Sequence, residues 1–114
     1  MTEQELYEPY LIASIVTPGG EVYIPKRQAA QFLARCNRGR FGILGIDCIR
    51  QEGNRTILDS ELIADFSSRT REDDSSFLRK TYEDALRFLE NIEGDDIFLS
   101  FTLKQVDRAE RDSP

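Results

Sequence analysis

The sequence predicts an α+β domain, an antiparallel sheet of about five strands with two helices on one face, in the order ββαββαβ. Three observations carry that reading. Phe41-Gly42-Ile43-Leu44-Gly45-Ile46-Asp47-Cys48-Ile49 is short, nearly all apolar and entered from the helix-stopping Gly39, as is a strand buried on both faces at the centre of a sheet. One stretch before it and one after repeat apolar residues at the three-and-four spacing of a helix face. The segments in between alternate or carry turn residues at their ends, as half-buried strands do.

In chain order, Met1 to Pro9 is polar and expected to be frayed or loosely docked, Tyr10 to Val16 reads as the first strand, and Glu21 to Ile24 as the second. Thr17-Pro18-Gly19-Gly20 between them places Pro where a turn fixes φ and Gly where φ turns positive, predicting a hairpin. Pro25 opens the first helix, in which Ala29, Phe32, Leu33 and Cys36 share a face and Asn37 to Gly39 form the stop. Arg35, Arg38 and Arg40 gather at its C-terminal end, where cations complement the macrodipole; this makes a phosphate-binding role for the cluster the weaker reading.

After the central strand, alternation sends Leu44, Ile46 and Cys48 toward the helices and Ile43 to the opposite face. Gln51-Glu52-Gly53-Asn54 turns the chain and Thr56 to Phe66 returns, with Leu58, Leu62, Ala64 and Phe66 on the core face and Ile57, Asp59, Glu61, Ile63 and Asp65 on the other. With Ile49 near Ile57, Asp47 would face Asp59 and Gly45 would face Glu61. Ser67 to Ser76 is a polar linker ending in the helix-starting Asp73-Asp74-Ser75-Ser76. The second helix is predicted from Phe77 to Glu93, its stripe built from Leu78, Tyr82, Ala85, Leu89 and Ile92, and Ile97 to Val106 alternates as the last strand. Residues 1–107 form a single domain in this reading, and 108–114 a mobile charged tail with nothing to bury. Without its first strand the order is βαββαβ, a ferredoxin-like core with both helices on one face and the other face more open.

At 114 residues, with 39% hydrophobic and 32% charged residues, the chain is long enough to bury one core without metals or disulfides. No apolar run reaches the ~20 residues that span a bilayer, and Met1-Thr2-Glu3-Gln4-Glu5 carries no basic signal region, so a cytoplasmic protein with no membrane partner is expected. Cys36 and Cys48 lie among apolar neighbours and are expected to be reduced and structural. The formal charge is −6 and uneven: of 15 basic residues five fall between Lys26 and Arg40, leaving ten against 21 acidic ones elsewhere. That balance argues against nucleic-acid binding, whose affinity comes from neutralising phosphates, and favours a basic protein partner.

The chemistry of catalysis is hard to place. Without histidine, histidine-based triads and most zinc sites are excluded, and neither cysteine has a CxxC partner or a histidine base. Gly19-Gly20 and Gly42-x-x-Gly45 are too short for phosphate loops; the first reads as a turn and the second as room for a helix to pack closely. Asp47, Asp59 and Glu61 could pair for acid–base work or hold a hard cation, but three carboxylates on neighbouring strands are more often a solvated face. The expectation is a protein without catalytic residues, metal or cofactor.

Glu21 to Arg50, with Ala29-Ala30-Gln31-Phe32-Leu33 leading into Phe41-Gly42-Ile43-Leu44-Gly45-Ile46-Asp47, resembles the immunity protein 40 family of bacterial polymorphic-toxin systems. That family is similar in having a short strand, an alanine-containing helix and an Ile-Leu-Gly-Gly-Asp-type strand. Ile63-Ala64-Asp65-Phe66 and Tyr82-Glu83-Asp84-Ala85-Leu86 follow in comparable order. The resemblance implies a small cytosolic inhibitor that binds one cognate toxin domain. The alternatives are a ferredoxin-like regulatory or ligand-binding module and a phage-type inhibitor mimicking nucleic-acid charge.

Strand alternation places the candidate partner-binding residues Asp47, Asp59, Glu61 and Asp65 on the open face around Ile43 and Ile63, with Tyr23 and Phe98 on flanking strands. Glu72, Asp73 and Asp74 of the linker form a second acidic candidate surface.

Overall fold

The computed structural model describes residues 1–106, so the tail expected over 108–114 lies outside the described residues. The strands are β1 (Ile15–Val16), β2 (Val22–Pro25), β3 (Phe41–Glu52), β4 (Arg55–Asp65) and β5 (Ile97–Gln105), and the α-helices are α1 (Glu3–Tyr7), α2 (Lys26–Arg38) and α3 (Asp74–Glu90). The sheet order is β1-β2-β5-β3-β4 with every neighbouring pair antiparallel. β2 and β3 therefore run the same way with β5 between them, as do β4 and β5 with β3 between them. α2 makes the first of these split crossovers and α3 the second, which is the βαββαβ core extended by a short N-terminal strand.

β3 is central, held by β5 along one edge and β4 along the other, as its apolar run requires. The main core lies beneath the helices. Ile24, Ile46, Cys48, Ile97, Leu99 and Phe101 of the sheet meet Ala29, Phe32, Leu33 and Cys36 of α2 and Ala85 of α3.

The N-terminal segment departs from expectation. Tyr10 to Val16 is not one strand: a 3₁₀ helix occupies Glu8–Ala13, and only Ile15–Val16 pairs with β2. Nor are the first nine residues frayed. Thr2 and Glu5 close a reciprocal capping box that starts α1, Leu6 is fully buried, and the Tyr7 hydroxyl donates to the Phe101 carbonyl at 3.1 Å. Arg35 of α2 fastens the segment from the other side, donating to the carbonyls of Leu6 and Glu5.

α3 starts at Asp74 rather than Phe77 because the Asp73 carboxylate caps it, accepting from Ser76 N–H at 2.9 Å, and it stops at Glu90. Its first turns flank the beginning of β3, where β4 has already left the sheet. There the Ile43 N–H donates to the buried Thr81 Oγ1 at 3.0 Å, and Phe66 N–H donates to the Leu44 carbonyl at 2.8 Å.

Two irregularities reset the phase of alternation. β3 carries an extra residue between Ile43 and Gly45 relative to β5, which brings Ile43 as well as Ile46 into the main core. Leu44, expected to face the helices beside Ile46, does meet α3 but apart from Ile46: it packs half-buried against Phe77, Leu78 and Val106, outside the main core. On β4 the register jumps from Ile63 opposite Asp47 to Leu58 opposite Ile49, so residues 59–62 bulge opposite Cys48 alone.

Both thiols are fully buried and free, and burial pushes each up to about 12. Labelling of Cys36 and Cys48 by a thiol reagent at neutral pH should run about a hundredfold or more slower in the folded chain than in denaturant. Stopped-time mass spectrometry reads both rates, and rapid labelling of either cysteine in the native state would contradict this packing.

Candidate functional site

Side chains directly opposite each other on antiparallel strands point to the same side of the sheet. The row Ile24, Leu99, Cys48 lies under the helices, so the adjacent rows define the other face. One of these is Pro25, Phe98, Ile49, Leu58, and the next is Ser100, Asp47, Ile63, followed by Thr102, Gly45, Asp65. Tyr23, which alternates with Ile24 and pairs with Ile15, belongs to this face too.

Among the described residues no helix covers the middle of this face; only its Phe41 end is closed, by Phe77 and Leu78 of α3 against Leu44 and Val106. Tyr23 and Ile49 are nevertheless buried and stand outside the cluster beneath the helices, while Leu58 and Ile63 remain 60% and 48% exposed. The result is a sheet surface with buried Tyr23 and Ile49 and two open aliphatic side chains on its outer strand.

Carboxylates sit among these residues. Asp47 occupies the position between Ser100 and Ile63, and Asp65 lies one row on. Neither has an ion-pair partner among the described residues, where Arg50, Arg69, Arg79, Lys80 and Arg87 take up the pairing. The Ser67 hydroxyl and then its backbone N–H hold the Asp65 carboxyl below its usual range, so it stays charged in mild acid. Burial raises the Tyr23 hydroxyl, and the charges of Glu21 and Asp47 raise it further, an electrostatic sign of how negative this face is.

The sequence-derived candidates divide accordingly. Asp47, Asp65, Ile63, Tyr23 and Phe98 come together on the helix-free face. Ile43 does not: the extra residue at Leu44 turns it into the main core, where it is 1% exposed.

Asp59 does not oppose Asp47, and Glu61 does not oppose Gly45. Asp47 pairs with Ile63 and Gly45 with Asp65. Asp59 accepts from Arg50 Nε at 2.9 Å and from the Glu61 N–H at 3.1 Å, which fastens the bulge and makes its carboxylate a structural group. Glu61 itself is exposed on the bulge.

The linker surface is likewise mostly occupied. Glu72 pairs with Lys80 and Arg69, whose hydrogen bonds lower its pKa, Asp73 caps α3, and Asp74 alone of the three is an exposed helix-start carboxylate without an assigned bond.

Ile49 and Leu58 are the residues that strand counting missed. Leu58 was expected in the core with Leu62, and the bulge between them reverses it. No group of three or more cysteine, aspartate or glutamate side chains among the described residues is placed to hold a metal ion. No described helix is long and apolar enough to cross a membrane. Comparison with protein-family models, with curated proteins and with solved structures returns no match.

Proposed function

We propose that this chain is a binding protein that neutralises a basic protein partner, an immunity protein of the kind its sequence resembles, and that it engages that partner with the helix-free face of its sheet. The observation that carries the reading is the pairing of Leu58 and Ile63, 60% and 48% exposed, with the carboxylates Asp47 and Asp65 on the same face, which have no ion-pair partner among the described residues. Open apolar side chains supply the desolvated centre of an interface, and an uncompensated ring of one charge sign speeds encounter with a partner of the other sign. A cognate toxin domain that acts on nucleic acid would present such a basic surface. The acidic excess of the chain outside Lys26 to Arg40 supports the same reading.

The test is protection from a toxin domain encoded beside this chain. Co-expression of the wild-type protein should restore growth, and the Asp47→Lys/Asp65→Lys double variant should lose protection while melting at nearly the wild-type temperature. In purified form that variant should associate about tenfold or more slowly at low salt, with a shallower salt dependence. A variant that protects as well as wild type would move the interface off this face; a wild-type protein that gives no protection would remove the immunity role.

A further inference from the structure

A cavity of about 490 Å³ opens at the C-terminal end of α2, lined by Met1, Arg35, Arg38, Gly39, Arg40, Gln105 and Val106. In a chain of net charge −6 it is walled by three arginines. The helix macrodipole explains cations in the last turn, where Arg35 and Arg38 lie, but Arg40 stands beyond that turn. Its Nε and Nη2 are buried and have no hydrogen-bond partner among the described residues. An ionised donor left in that state is costly unless an acceptor of opposite charge reaches it. The backbone there is strained as well: Arg40 has φ +64°, the left-handed conformation that usually falls to glycine, although Gly39 is its immediate neighbour. The strained turn is held by Arg40 N–H donating to the Asn37 carbonyl and by the Arg40 carbonyl accepting from Val106 N–H, so the guanidinium is carried on a fixed backbone.

We propose that this cavity is an oxyanion site, and that its ligand is the phosphate group of a small phosphorylated molecule. Nε–H and the Nη2–H beside it run parallel along one edge of the guanidinium, and that edge is the fork which binds two oxygens of a phosphate or carboxylate side by side. Arg40 is among the residues that line the cavity, and binding requires its terminal torsions to turn this fork toward it. Arg38, which has no ion-pair partner among the described residues, and Arg35 add the positive field that favours a doubly charged phosphate over a carboxylate. The cavity has room for the organic part of the ligand as well as the phosphate. This site is built from residues separate from those of the helix-free face, so it stands or falls independently of the immunity role.

The experiment is titration of the full chain with inorganic phosphate, followed by amide chemical shifts and melting temperature, against acetate and against chloride at matched ionic strength. Phosphate should shift the amides of residues 38–40 and 105–106 and raise the melting temperature, with acetate weaker and chloride inert. Arg40→Gly relieves the left-handed strain, so it should melt at or above the wild-type temperature without phosphate. It should bind phosphate about ten- to a hundredfold more weakly, the loss of a charge-assisted fork. Arg79→Ala, at an exposed arginine of α3, should bind phosphate as wild type does. Shifts that are absent, that are equalled by chloride, or that persist undiminished in Arg40→Gly overturn the site; acetate binding as tightly as phosphate overturns the phosphate assignment.

Discussion

Replacing Phe32 with alanine should cost about 3–5 kcal/mol, the range for a large aromatic removed from a packed interior. Phe32 is fully buried on α2 and, among the described residues, is the one ring that packs against three others. Its centroid lies 4.9 Å from Tyr7, 5.4 Å from Tyr10 in an edge-on approach and 5.2 Å from Phe101. Those partners come from α1, the 3₁₀ helix and β5, so one side chain ties the N-terminal segment to both the helix layer and the sheet. The loss therefore extends beyond the cavity itself, to the orienting contacts of Tyr7 and Tyr10. Denaturant unfolding should show the drop in stability, and hydrogen exchange should show residues 3–13 opening first. A loss under about 1 kcal/mol would mean that the rings do not pack as a unit.

The second large effect is expected at Gly42. A Cβ built there would lie 2.1 Å from Phe77 Cε2 and 2.5 Å from Cζ, far inside contact distance, and the ring it meets is itself buried among Leu44, Leu78 and Val106. Gly42→Ala must push that ring aside, and over-packing of this kind costs about 1–3 kcal/mol, more than alanine gains over glycine in strand preference. Gly42→Val should reach the upper end or beyond. The specific signature is coupling: in a Phe77→Leu background the cost of Gly42→Ala should shrink markedly, and thermal or denaturant melts of the four proteins measure the difference. Additive losses would show that Phe77 is not what excludes a side chain at position 42.

Much of this architecture is legible in residue patterns because it depends on local periodicity. The apolar run Phe41 to Ile49 can only be satisfied in mid-sheet, Ala29, Phe32, Leu33 and Cys36 are separated by helical intervals, and Asp73 stands one residue before a helix that needs a cap. Features that depend on a partner strand are not legible this way. Counting alternate residues assumes one-to-one pairing, and both bulges break it: the extra residue at Leu44 moved Ile43 into the core, and residues 59–62 moved Leu58 out of it. A hint was present in Leu58 and Ile63, which are five apart and cannot share a face of a regular strand. At the N-terminus the Thr2-x-x-Glu5 signature does announce a helix, but Ile12, Ile15 and Val16 mimic a strand and mask the 3₁₀ turn that Pro9 begins. The candidate face was thus readable in sign and in part of its membership, while its apolar row, Pro25, Phe98, Ile49 and Leu58, required the register.

The bulge of β4 has a consequence for how the molecule behaves at high concentration. β4 is an outermost strand of eleven residues, and a regular strand of that length with bare leucine and isoleucine is a template onto which another chain can add by main-chain hydrogen bonding. Residues 59–62 interrupt the template, leaving Arg55 to Leu58 and Ile63 to Asp65 as two short pieces out of step with each other. The exposed carboxylates of Glu61 and Asp65 set like charges against any second copy that approaches in antiparallel fashion. An edge broken up in this way is a poor template for a further strand, even though Leu58 and Ile63 are exposed on it.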